Sequence, residues 1–317
     1  MKYLGFILWL QITSGFTPSY VLAQVNDSSR LGDATMWITA TDGCYGVTVH
    51  EDANLDTLVK VMKEEHFEKL PIGERIVAVG KLLLERPYLD KSLEATTDES
   101  ITVCNFLGFD CVTFFETSWA LAETIRGQHP SMYVYTNILT NHRYRGGDRN
   151  GYQSRLHYTS DYFYDNANRE NLKEMTKLVG GKYAKLEEKP INFMSSHPNL
   201  YPQLQSDARM VVKIDSIKQM MRARGGFSYI PKANIETIEK GIHTGDLIGI
   251  TTSIAGIDCS HTGIALKAKD GRVHFMHASS AMHKVIISPM PLADYLAGNS
   301  KQTGIMVFRP IEEKTKW

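Results

Sequence analysis

Apolar residues recur at helical spacing through the first part of the chain. In "LDTLVKVMKEEHFEKL", Leu55, Leu58, Val59 and Met62 share one face, which predicts a helix. "LPIGERIVAVGKLLLE" repeats the pattern, with Pro71 suited to a helix start and Ile76, Val77, Val79 and Leu83 available for a core. "ERPYLDKSLE" closes this region. A third helix is expected from Cys111, with Val112, Phe115, Trp119 and Ala122 as an apolar stripe and Asp110 as its N-cap. From Gly127 to Phe227 the period is lost, and "NHRYRGGDRNGYQSRLHYTSDYFYDNANRENL" reads as short elements and long loops over the body. Such Arg- and aromatic-rich loops suit a polar substrate groove and an ordinary surface equally. The last third changes period: "GDLIGITTS", "HTGIALKAKDGRVHFMHAS", "KVIISP" and "TGIMVFRP" are short, β-branched and apolar. Asp270-Gly271 fits a hairpin turn, and "PLADYLAG" a short helix between the last two strands. Helices followed by an antiparallel sheet make the expected class α+β.

The start, "MKYLGFILWLQITSGFTPSYVLAQVNDSS", changes the picture of location. Lys2 is a short positive region, Tyr3 to Leu10 an apolar run, and Val21-Leu22-Ala23 a cleavage-site pattern. This predicts a signal peptide over residues 1–23, because the run is too short to span a bilayer. A buried N-terminal strand is the alternative. The expected mature chain is a single domain over 24–317, exported to the periplasm or outside the cell, with no membrane span. The 35 basic and 35 acidic residues balance without long runs of either sign, so nucleic-acid binding has no electrostatic footprint. Four cysteines, Cys44, Cys104, Cys111 and Cys259, are too few for a disulfide scaffold at this length. Cys44 and Cys104 could form one bridge. An exported protein that keeps an unpaired thiol needs a reason for it.

Cys111 supplies a candidate reason. A thiol nucleophile needs a route to the thiolate, a base, and a donor for the developing oxyanion. The helix N-terminus contributes roughly 0.3–1 kcal/mol at an exposed site, too little to move a thiol far from its usual pKa. A histidine partner can do so. Of 11 histidines, two fall where a sheet would present them: His261 opens a strand in "DCSHTGIAL", and His277 ends the next in "VHFMHASS". Neighbouring antiparallel strands would let His261 take the thiol proton while His277 orients it. Cys259, His261, His274 and His277 also contain zinc-ligand types. Their spacing argues against a site, since His274 and His277 on one strand point to opposite faces.

These residues together resemble the N-acetylmuramoyl-L-alanine amidase-like proteins, relatives of the NlpC-type cell-wall peptidases among the papain-like cysteine hydrolases. The match runs from "RPY" and Leu93-Glu94 through Asn105, "FDCVTFFE", "GYQSRLHYTSDY" and "YIP" to "GDLIGITT", "GIDCSHTGIA", "HASS" and "VFRP". It implies a papain-like, NlpC-like fold, in which N-terminal helices carry the cysteine at a helix start against a C-terminal antiparallel sheet. It also implies a family-specific insertion over about 127–230. Cys111 matches the nucleophile, His261 the base and His277 the orienting position. Asn105 and Asp110 fall where oxyanion or loop support is expected, and a purely structural turn serves Asn105 equally well. Arg155, Tyr158, Asp161, Tyr229 and Ser279 are the expected substrate contacts. Cys259 departs from the aliphatic residue expected there.

The activity implied is hydrolysis of an amide in peptidoglycan or muropeptides, first the N-acetylmuramoyl–L-alanine bond, with no metal or cofactor. A stem-peptide endopeptidase cutting a D-glutamyl linkage explains the same residues. So does an acyltransferase, in which an amine replaces water, while a silent wall-binding protein on the same scaffold would have no use for the thiol and base.

Overall fold

The computed structural model describes residues 54–94 and 99–312, together with the backbone of three strands: β1 (Val21–Ala23), β2 (Thr35–Ala40) and β3 (Gly43–Thr48). These three pair antiparallel in chain order. The leader expected over 1–23 otherwise lies outside the described residues, as does the side chain of Cys44. Cys104 is disulfide-bonded.

Two helices open the described body. In α1 (Leu55–Glu64) the Asn54 side chain accepts from the Thr57 amide at 2.8 Å, and Leu55, Leu58 and Met62 are buried. α2 (Ile72–Leu82) begins after Pro71, whose missing N–H costs nothing at a helix start. It buries Ile76, Val77 and Val79, and with them Arg75. That guanidinium donates to the Ala122 carbonyl at 2.9 Å and to Glu312 at 2.6 Å, joining α2 to the far end of α3 (Cys111–Thr124) and to the C-terminal tail.

The middle segment differs from the loop-rich expectation. Two helices, α4 (Met132–Arg143) and α5 (Thr159–Asn168), belong to the main core through Tyr135, Ile138, Leu139, Tyr162 and Phe163. Aromatic side chains read as groove or surface therefore pack inward. A strand, β4 (Leu172–Glu174), and a short helix, α6 (Thr176–Gly180), follow, then β5 (Lys185–Glu187). Short helices α7 (Phe193–Ser196) and α8 (Pro202–Ser206) lead to α9 (Ala208–Ala223). These last elements do form a satellite, with its own cluster of Met194, Leu204, Ile214, Ile217 and Met221 around Tyr152 and Tyr158.

After β6 (Phe227–Pro231) and the turn of helix α10 (Ile235–Ile238) come β7 (Leu247–Thr252), β8 (Cys259–Lys267), β9 (Val273–Ser279) and β10 (Lys284–Pro291). Helix α11 (Leu292–Ala297) precedes β11 (Gln302–Pro310). They build an antiparallel sheet in the order β10-β9-β8-β7-β11-β6-β5, with β4 also paired to β11. One face carries Ile264, Met276 and Ala278 against the helices; the other carries Ile248, Phe275 and Val307 beneath α11. This is an α+β fold.

α3 departs from the amphipathic helix expected. Thr113 through Thr124 are all buried, because α2, α4, β8 and β9 enclose the helix. Several of its polar residues find partners inside the protein, although both Glu123 oxygens and the Trp119 Nε1 make no hydrogen bond among the described residues. Ser118 and Thr124 donate to the carbonyls of Phe114 and Ala120, and Glu116 accepts two bonds from Arg143 at 2.9 and 2.8 Å. Arg143, also buried, donates a third bond to the Val103 carbonyl. Burial raises the Glu116 carboxyl pKa, and the adjacent guanidinium opposes that shift. Removing one partner of such a pair strands the other charge in a dry core, at about 3–5 kcal/mol. Glu116→Ala is therefore expected to lower unfolding free energy by about that amount in urea denaturation. A loss below about 1 kcal/mol would mean that Arg143 finds water or another partner.

Candidate active site

Asp110 is the N-cap of α3. Its Oδ1 accepts from the amides of Val112 and Thr113 at 3.0 and 2.8 Å, while its own amide donates to Thr113 Oγ1 at 3.0 Å, completing a capping box. The Ser92 hydroxyl holds the other carboxylate oxygen at 2.8 Å. This cap takes the second and third amides of the helix and leaves that of Cys111, which faces its own sulphur. The Cys111 amide at the helix start favours the thiolate, but it is outweighed. Burial first, then the Asp110 carboxylate, push the Cys111 thiol up to about 11. The Thr262 hydroxyl and amide, both directed at the sulphur, work the other way. Apart from this approach to sulphur, the buried Thr262 hydroxyl has no hydrogen-bond partner.

Thr262 follows His261 on β8, so Cys111 lies against the residue adjoining that histidine. His261 Nε2 and His277 Nδ1 are 2.6 Å apart, with the rings nearly perpendicular. Phe275 stacks on the His277 imidazole, its centroid 4.7 Å away, and meets His261 edge-on at 5.7 Å. Gly263 makes this possible, since a Cβ there would stand 2.7 Å from the Phe275 ring and 2.6 Å from the Met276 carbonyl oxygen. Burial lowers both imidazoles, His261 to about 3, with His277 adding to the effect, and His277 to about 4. Both are neutral at pH 7. For His261 to accept a proton at Nδ1, its hydrogen must sit on Nε2 and be donated to His277 Nδ1. The hydrogen of His277 then lies on Nε2, a buried atom with no partner among the described residues.

The remaining expected residues divide. Asn105 forms the turn before α3, its Oδ1 accepting from the Leu107 amide at 2.8 Å, and its buried Nδ2 has no partner among the described residues. Ser279 Oγ accepts from the Met282 amide at 3.2 Å, and Tyr229 is half-buried on β6. Three expected substrate contacts are committed within the protein instead. Arg155 is buried, donates to Glu94 and to the Leu93 carbonyl at 3.0 Å, and lies over the Tyr152 ring. The Tyr158 hydroxyl accepts from the Met194 amide at 3.1 Å. Asp161 is fully buried between Arg145 and Arg224. Polar side chains rich in hydrogen-bonding groups look the same in a sequence whether they face a ligand or a neighbour.

Sequence reasoning missed other groups around the thiol. Tyr88, before the cysteine helix, and Tyr295, on α11, lie close enough to Cys111 for a thiolate there to raise their phenol pKa values, though burial is the larger cause for both. Tyr295 also packs edge-on against His277 at 5.3 Å. Asp258, quoted in "GIDCSH", turns out to cap α5 from another element. Its carboxylate accepts from the Ser160 amide at 2.5 Å and the Cys259 amide at 2.7 Å. Cys259 is buried beside Phe163, and His274 is hydrogen-bonded to the Ser288 carbonyl and Asp270.

A family described as N-acetylmuramoyl-L-alanine amidase-like matches residues 78–305, and the chain belongs to that family. It is similar to an N-acetylmuramoyl-L-alanine amidase from Bacteroides uniformis ATCC 8492, at 34% identity and a TM-score of 0.69, over 76% of this chain and 99% of that one. A Bacteroides fragilis protein carrying a xylanase name matches at 30% identity and 0.66, over 73% of this chain and 99% of that one. A Legionella pneumophila protein shares the fold, at 21% identity and 0.60, over 82% of this chain and 95% of that one. No curated protein matches the chain.

Two outcomes follow from these environments. Thr262→Val removes a group that lowers the Cys111 pKa, so the pH midpoint of iodoacetamide alkylation should rise, while Thr262→Ser should keep it; an unchanged midpoint in the valine variant would remove Thr262 from the site. An unfolded chain protonates histidine near pH 6.5, whereas the folded pair resists until about 4 and 3. Stability carried by the neutral pair is therefore complete above about pH 6.5 and falls as pH drops through the window towards 3. His277→Gln should flatten that slope in denaturation measured from pH 7 to 4.

Proposed function

We propose that the protein is an exported cysteine amidase that hydrolyses the N-acetylmuramoyl–L-alanine bond of peptidoglycan or muropeptides, on a papain-like scaffold related to the NlpC-type hydrolases. The observation that carries this reading is the 2.6 Å contact between His261 and His277 on strands adjoining the helix start that bears Cys111. A thiol and two mutually bonded imidazoles suit acyl transfer. Glycoside hydrolysis runs on two carboxylates, a different set of groups.

The resting thiol is neutral, so proton transfer accompanies attack. Cys111 Sγ attacks the amide carbon while His261 Nδ1 takes its proton, and the charge formed on His261 is eased through Nε2 by His277. The developing oxyanion meets the Cys111 amide, which the Asp110 cap leaves unclaimed. His261 then returns the proton to the leaving nitrogen of L-alanine, leaving a thioester on the muramoyl side. Water, deprotonated by the same histidine, releases the muramic acid and restores the thiol. The fit of the first step to a dry site is physical: a neutral thiol and neutral base cost less to bury than an ion pair.

Mass spectrometry of products from purified muropeptides tests the reading. Free stem peptide should appear, be unaffected by chelator, and fall more than about 1,000-fold in rate with Cys111→Ala. His277→Ala should lose about 10- to 1,000-fold, mainly in kcat, because it removes orientation but leaves the nucleophile and base. Cleavage within the stem would keep the mechanism and change the bond. No cleavage of any muropeptide would overturn the reading.

A further inference from the structure

A cavity of about 1140 Å³ lies between α5, α9 and the β5–β6 edge of the sheet, and its lining includes none of Cys111, His261 and His277. Met306 and Phe308 of β11 contribute apolar surface. Five cationic side chains, Lys177, Lys189, Lys218, Arg222 and Arg224, line it against two glutamates; Lys218 is ion-paired with Asp215 at 3.0 Å and Lys189 donates to the Thr252 carbonyl, so the excess rests on Lys177, Arg222 and Arg224. In a partly enclosed site that excess favours an anionic occupant.

Arg224 is the most constrained of the five. One terminal nitrogen donates to Asp161, and the guanidinium lies over the Tyr164 ring at 4.0 Å. Asp161 is fully buried and held from its other side by Arg145 at 3.1 and 2.5 Å, so one carboxylate serves two guanidinium groups and the cluster keeps a net positive charge. The Nε and second terminal nitrogen of Arg224 have no partner among the described residues, and its side chain is 15% exposed. A fork fixed on one edge and open on the other is prepared for a carboxylate, because its rotamer is set before the ligand arrives.

The cavity also reaches the base of the strand that carries His261. Ser160 lines it, and the Ser160 amide is the donor to Asp258 described above. Its neighbour Thr159 and the sulphur of Cys259, where β8 begins, both come within 3.1 Å of the Cβ position Gly249 lacks.

We infer that this cavity receives the carboxylates of an acidic peptide, with Arg224 as the group that reads them. Resting on the amidase reading, this makes the occupant the stem peptide on the leaving side of the bond, and Arg224 a residue that selects free carboxylates over carboxamides.

The experiment is calorimetric titration of the Cys111→Ala chain with a free stem tripeptide and with the same tripeptide in which every carboxylate is a carboxamide. The acid form should bind at least tenfold tighter. Arg224→Gln should abolish that preference while Arg224→Lys keeps part of it, with thermal unfolding of each variant checking that the fold survives. Equal binding of the two peptides to the Cys111→Ala chain, or no binding of either, overturns the inference without recourse to any Arg224 variant. So does a preference that survives Arg224→Gln. Muropeptide hydrolysis by the intact thiol is scored separately: hydrolysis without a carboxylate preference leaves the amidase reading standing and removes this subsite, whereas a preference without hydrolysis does the reverse.

Discussion

Everything else in the fold depends on keeping α3 dry along its length while its first residue, Cys111, stays partly open at the helix start. A helix closed in by helices and strands cannot send polar side chains to water, so each needs an internal partner. Glu116 finds Arg143 of α4, and Ser118 and Thr124 turn back onto the helix carbonyls. Trp119 stacks on His142 at 3.6 Å, and the Ala122 carbonyl takes Arg75 of α2. These contacts fix α3 in rotation and along its axis. The position of Cys111 against Thr262 is then a result of core packing, with little left to the flexibility of the preceding loop.

The same dryness shapes the electrostatics. Asp110 satisfies the helix end with its own charge, which offsets the pull of the helix terminus on the thiol. Phe275 covers His277 and both imidazoles stay neutral. With the thiol pushed up and both imidazoles pushed down, the proton stays on sulphur and neither ring is charged near neutral pH.

Periodicity made α1, α2 and the last five strands of the sheet legible, because each has one apolar face and clear end signals. α3 was legible in position but not in depth. Its stripe of Val112, Phe115, Trp119 and Ala122 is real, yet Glu116, Thr117 and Glu123 on the other side are buried too, since their partners Arg143, Tyr135 and His142 come from α4, 18 to 27 residues away. The middle segment was hardest to read for the same reason. Asp161, Arg155 and Tyr158 carry groups that suit ligands, and only tertiary placement distinguishes a guanidinium facing Glu94 from one facing a substrate. Tyr295 had no signal at all, because its nearness to Cys111 arises from a helix that follows the sheet's edge strand. The histidine pair was readable because two strands joined by an Asp-Gly turn leave little freedom in which residues meet.

Asp258 has a wider meaning as a seam between modules. One carboxylate holds the first turn of α5 and the first residue of β8 together, so the region from 127 to 230 is riveted to the strand that carries His261 at a point far beyond it in sequence. Both donors are backbone amides, so the seam depends on where the chain of α5 begins and not on which side chain stands at 160, and it tolerates any residue there that keeps its N–H.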